Sequence, residues 1–158
     1  MSTLKLSSDT TRILRHLVAT IAYRASRSLR DAPAGFESVR LADTGMTARE
    51  LVSHMTNVMS FALATVTRTD RIRHEPLEWP QEVARFYSVL GELDTRLAEG
   101  ATIEEGFDLK IVQGPLADAL THVGQLHAMR RKTGAPVAPA NYIRADVQAG
   151  RIALEDQA

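Results

Sequence analysis

The chain has 158 residues, 44% of them apolar and 24% charged. That length and mixture suit one globular domain, residues 1–158, with its own hydrophobic core, and exclude a disordered chain. It contains no cysteine, which excludes disulfides, thiolate metal sites and a cysteine nucleophile, so any metal site must use histidine and carboxylate. The 19 basic residues balance the 19 acidic ones and only 5% of residues are aromatic, leaving no basic excess for phosphates and few rings for bases, so no nucleic-acid partner is expected.

The opening stretch, MSTLKLSSDTTRIL, lacks the apolar core of a signal peptide, and no apolar run approaches a membrane span. A cytoplasmic protein without a membrane partner is the expectation. A first helix is predicted over residues 8–32, with Leu14, Leu17, Val18, Ile21 and Ala25 at helical spacing, Ser8 or Asp9 as cap and Pro33 as stop. Residues 33–46 read as a loop rich in Gly, Ala and Pro. A second helix starts at Thr47, where Thr47-Ala48-Arg49-Glu50 fits a capping box, and runs to about Asp70. Its apolar stripe is Leu51, His54, Met55, Val58, Phe61, Ala62 and Thr65.

A third helix begins at Trp79-Pro80, with proline in the first turn, and ends at Gly100. Val83, Phe86, Tyr87, Leu90, Leu93 and Leu97 form its apolar face, and Gly91 weakens it slightly. The stretch ATIEEGFDLKIVQ is predicted to hold a short helical turn near Leu109, stopped by Gly114. A fourth helix starts at Gly114-Pro115 and ends at Gly134, with Arg130, Arg131 and Lys132 in its last turn, where cations suit the helix dipole. NYIRADVQAGR reads as a short extra C-terminal helix packed across the rest. No segment shows the alternation of a strand. Four amphipathic helices in a chain of this size predict an all-α four-helix bundle.

The histidines carry the chemistry. His54 shares a helix face with Leu51 and Val58 and is expected to point inward. A buried histidine needs only a hydrogen-bond partner, so one satisfied by a neighbour is the alternative to a metal ligand. Asp118 and His122 are four residues apart on the fourth helix, with Cβ atoms about 5–6 Å apart, close enough to grip one ion. A plain Asp–His hydrogen bond is their alternative. Taken together, two histidines and one carboxylate on facing helices suit zinc, nickel, iron or manganese and leave coordination positions open. His127 is turned about 140° from His122 and reads as a packing or surface residue. His16 reads as a boundary residue, His74 as solvated and Tyr87 as core. Gln125, one turn beyond His122, is either a support for the site or an ordinary polar residue.

The stretch QGPLADALTHVGQL, its continuation MRRKTGAPV and the piece Glu50-Leu51-Val52-Ser53-His54-Met55 resemble the last and second helices of the DinB-like superfamily. The resemblance implies a four-helix bundle in which two connected helices run parallel, joined by a long crossover for which residues 71–78 could serve. It implies a metal site with one histidine on the second helix and an H-x-x-x-H pair on the fourth. By position His54 matches the first of these and His122 the last, while Asp118 stands where the middle histidine is usual. It further implies homodimers in many members, and enzymes that use low-molecular-weight thiols such as mycothiol. A metal-dependent thiol transferase or hydrolase acting on a small molecule is the function expected on this basis. A non-catalytic dimeric metal-binding or small-ligand-binding bundle is the alternative. No residue stands out as a general acid or base.

Overall fold

In a computed structural model, described here for residues 2–157, the chain is mostly helical. Four long helices dominate: α1 (Ser8–Leu29), α2 (Ala48–Thr67), α3 (Trp79–Gly100) and α5 (Ala117–Lys132), with a single turn, α4 (Phe107–Ile111), before the last. The strands β1 (Thr3–Lys5) and β2 (Thr102–Glu104) pair antiparallel, Leu4 opposite Ile103, and tie the N-terminal segment to the link between α3 and α4. The sequence reading missed both strands, because three residues are too few to show alternation. No described helix is long and apolar enough to cross a membrane.

Side-chain contacts fix the helix directions. Arg15 of α1 donates twice to Asp94 of α3, at 2.9 and 2.8 Å, and the Tyr87 hydroxyl reaches the Ala22 carbonyl at 3.0 Å, so α1 and α3 are antiparallel. Arg49, early in α2, meets Glu78 at the start of α3, and Thr56 meets Glu82. These two helices therefore run parallel. The connection over residues 68–78 is long enough for the return, since an extended chain covers about 3.3–3.6 Å per residue and a helix only about 1.5 Å. His127 and Arg130 of α5 bond to the Arg24 and Ser28 carbonyls, which makes α5 parallel to α1. Thus α1 and α5 point one way, and α2 and α3 the other.

The capping box of α2 forms as its sequence dictates: Thr47 Oγ1 accepts from the Glu50 amide at 3.1 Å, and Glu50 Oε2 from the Thr47 amide at 2.7 Å. Helix α1 is capped by Ser7 rather than Ser8 or Asp9, and it ends at Leu29, short of Ala32. There the Arg130 guanidinium binds the freed carbonyls of Ser28 and Arg30. Gly114 and Pro115 do not start the fourth helix. They lie inside a π-turn, Val112–Leu116, through which α4 runs on into α5. A proline inside a helix lacks its N–H and crowds the carbonyl four residues back, and the wider π-turn accommodates both defects.

The expected C-terminal helix over NYIRADVQAGR is absent; residues 141–151 form turns, followed by a 3-10 turn, Leu154–Asp156. Asn141 Oδ1 takes the Ile143 amide, and Asp146 takes Gln148 and Arg151, so local side-chain bonds replace the helical ladder. Ile143, 95% exposed, offers no apolar face to pack. The tail is instead held to α1 by Arg27 on the Ala138 carbonyl and Arg30 on the Leu154 carbonyl. The core joins Leu14 and Ile21 of α1, Leu51, Met55 and Met59 of α2, Phe86, Leu90 and Leu93 of α3, and Leu116 and Leu126. Phe36, from the loop after α1, is fully buried, edge-on to Trp79 at 5.8 Å.

Candidate metal centre

Helix α2 buries a different face from the one its apolar stripe suggests. Val52, Ser53, Thr56, Met59 and Ser60 are buried with Leu51 and Met55, whereas Phe61 is 38% exposed. At 100° per residue the centre of the buried face is rotated by roughly 100° from the expected one. Small hydroxyl residues made this possible: each can satisfy its own polar group, as Thr56 does on the Val52 carbonyl at 3.0 Å. His54 consequently does not point inward. It sits on the flank of α2 facing α5, its side chain 42% exposed.

On α5, the π-turn ends just before Ala117, and Asp118 lies in the first turn of the regular helix. His122, one turn on, is nearly buried, with 11% of its side chain exposed, while Asp118 is 44% exposed. The structure brings the three side chains together, each offering one donor atom, all within 4.8 Å of one another. His54 Nε2 lies 3.3 Å from Asp118 Oδ2, and His122 Nε2 lies 3.4 Å from Asp118 Oδ1. The two rings stand edge to face with centroids 4.8 Å apart.

The His54–Asp118 contact is a long hydrogen bond, beyond the usual range of about 2.7–3.2 Å, whereas His122 Nε2 makes none. Two donors about 2.1 Å from a common ion at tetrahedral angles stand about 3.4 Å apart. Each histidine nitrogen lies near that distance from its own Asp118 oxygen, while the full donor set spreads to 4.8 Å, so the side chains would draw in around an ion. His122 Nδ1 is 2.8 Å from Gln125 Oε1, which fixes the proton on Nδ1 and leaves a lone pair on Nε2. That Nε2 is buried and has no hydrogen-bond partner among the described residues. A bare, buried imidazole nitrogen facing a carboxylate and a second imidazole fits a divalent cation, and the donor set is the one expected for zinc, nickel, iron or manganese. Of the two readings of Gln125, the structure shows it hydrogen-bonded to His122.

Beside the cluster lies a cleft of about 570 Å³, between α2 and the start of α5. Val58, Phe61 and Pro115 give it apolar walls, and Asp118 and Thr121 lie along it. Arg71 enters from the connection between α2 and α3. Neither Arg71 nor Phe61 was singled out by the sequence. Arg71 sits in a polar stretch with no spacing signal, and Phe61 was assigned to the core.

The remaining histidines stay outside the cluster. His127 bonds the Arg24 carbonyl at 3.2 Å. His16 is exposed. His74 is a clamp rather than a solvated residue: its ring meets Ser60 Oγ at 3.0 Å, its amide donates to Asn57 Oδ1 at 2.8 Å, and its carbonyl accepts from Asn57 Nδ2 at 2.9 Å. Tyr87 is core, as expected, and burial raises its phenol far above its ordinary range.

Burial, more than the nearby arginines, holds both His74 and His127 below the ordinary value of 6.5. The unfolded chain therefore binds more protons than the folded one in the window below 6.5. Their stabilisation is complete above that value and is lost as the pH falls through the depressed folded values. The melting temperature is expected to fall as the pH is lowered through this window, and less steeply in His127→Gln. Thermal denaturation across the pH series checks this, and equal slopes for the two proteins would contradict it.

Fold and site together define a helical bundle with a two-histidine, one-carboxylate cluster at the groove between its second and last long helices. The chain matches no family model, no curated protein and no solved structure.

Proposed function

We propose that this chain is a DinB-like, divalent-metal-binding protein whose ion is held by His54, Asp118 and His122, and that it acts on a small molecule as a metal-dependent thiol transferase or hydrolase. The observation that carries the proposal is the bare, buried Nε2 of His122, grouped with one donor atom each of His54 and Asp118 within 4.8 Å. The parallel α2 and α3, joined by a long connection, support the DinB-like reading of the bundle.

A divalent ion bound there would lower the pKa of a coordinated thiol or water and so supply a nucleophile near neutral pH. The chain's own residues do the rest. Gln125 keeps the His122 proton on Nδ1. Asp118 supplies the negative charge that favours a divalent ion over none. The half-exposed His54 and Asp118 leave the outer side of the site open to a ligand from the cleft. A second reading, a non-catalytic metal- or ligand-binding bundle, draws on the cleft lining, in which Asp118 and Arg71 are the only charged side chains among the described residues.

Elemental analysis of the purified chain and of His54→Ala and His122→Ala tests the proposal. One equivalent of zinc, nickel, iron or manganese is expected in the parent chain and none in either variant, with helical circular dichroism retained. A parent chain that is metal-free and takes up none of the four on addition would sink the metal reading. Thermal shifts of the loaded protein with mycothiol, bacillithiol and glutathione then separate the readings. No shift with any thiol removes the transferase and leaves the hydrolase or the non-catalytic bundle.

A further inference from the structure

We infer that the cleft beside His54, Asp118 and His122 receives a small molecule bearing a carboxylate, and that Arg71 is the side chain that pairs with it; this rests on the metal reading above. Arg71 and Asp118 line the same cleft, of about 570 Å³, a size typical of small-molecule sites. Val58, Phe61 and Pro115 supply apolar walls, so a ligand there is held by shape at its middle and by charge at its ends. With Asp118 engaged by a cation, Arg71 is the remaining charged group of the lining.

The guanidinium is poised and unspent. No carboxylate lies within ion-pair distance of it among the described residues. Its hydrogen bond to protein is long, 3.4 Å from Nη2 to the Asn57 carbonyl, and its carbon lies 5.8 Å from the centre of the Phe61 ring. The connection that carries it is nonetheless anchored nearby. Three residues on, His74 is clamped by Asn57 through both its amide and its carbonyl, and its ring meets Ser60. An arginine fork lining an apolar cleft matches one planar carboxylate, which it can grip with two parallel bonds.

The test uses the full chain loaded with cobalt(II), titrated with 3-mercaptopropionate and, separately, 2-mercaptoethanol. Both thiols can bind the ion, and only the first carries a carboxylate. Binding is followed by the near-ultraviolet charge-transfer band of a cobalt thiolate. The parent chain is expected to prefer 3-mercaptopropionate by about tenfold, the scale of one charge-assisted pair. Arg71→Ala should abolish that preference, and Arg71→Lys should keep part of it, since the charge remains but the fork is lost. Arg71 is exposed, so both variants are expected to fold, and their cobalt d–d bands report an intact site. An unchanged preference in Arg71→Ala, or no preference in the parent chain, overturns the role of Arg71 while leaving the metal reading standing. Absence of cobalt binding in the parent chain overturns the metal reading and this inference with it.

Discussion

Replacing Glu82 by alanine is expected to destabilise the fold by about 3–5 kcal/mol, the range for breaking a buried charged cluster. Glu82 is fully buried in the first turn of α3, and its carboxylate takes two donors and shares with the Val52 carbonyl the single proton of the Thr56 hydroxyl. Oε2 accepts from the Leu77 amide at 2.8 Å and from Arg85 Nη2 at 2.6 Å, and Oε1 lies 3.2 Å from the Thr56 hydroxyl. It therefore joins the crossover, α3 and α2 at one point. Removing it leaves the Arg85 guanidinium, only 18% exposed, without its counter-charge, and frees the connection that carries His74 and Arg71. Small domains hold only about 5–15 kcal/mol in all, so a loss on this scale is readily measured. Glu82→Gln, which keeps an acceptor for Leu77 but loses the charge, should fall between the two. Urea denaturation at neutral pH checks both variants. A loss below about 1 kcal/mol for Glu82→Ala, the scale of one ordinary hydrogen bond, would show that the cluster is dispensable.

The second large effect concerns affinity rather than folding. Gln125→Leu is expected to weaken divalent-metal binding by about 10–100-fold, the usual consequence of removing the partner that orients a ligating histidine. Leucine has nearly the same bulk as glutamine but cannot accept the proton of His122 Nδ1. The imidazole then loses the 2.8 Å bond that keeps Nε2 bare and aimed at Asp118. Gln125 is half-buried on the rim of α5, so the fold should tolerate the change. Competition against a chelator of known affinity, for zinc and for nickel, reads the shift, and denaturation of the metal-free proteins shows whether folding is spared. An affinity within about threefold of the parent chain would remove Gln125 from the site, because a supporting residue is expected to matter by tenfold or more.

Much of the bundle could be read from the amino acids. The capping box at Thr47, the Trp79-Pro80 start and the Gly100 stop of α3 all rest on interactions within one turn of chain, and they appear where the residues require. The candidates His54, Asp118 and His122 came from an i,i+4 pair on one helix, a single histidine on another and the DinB-like resemblance, and their side chains do lie together, though His54 does so from the half-exposed flank of α2 rather than from an inward face. The C-terminal segment misled for a local reason of its own. Asn141 and Asp146 serve as turn formers there, and a residue count alone does not show which of two local bonding schemes prevails.

By itself, then, the order of residues determined the helices and most of their ends. Those features depend on neighbours within a few positions. Tertiary structure decided which face of α2 is buried, that His54 lies half in solvent, that Phe36 fills the core from a loop, and that Glu82 and Arg71 have the surroundings they do. Each of those outcomes depends on the side chains of another helix, distant in sequence, competing for the same volume, and close packing admits one arrangement of them.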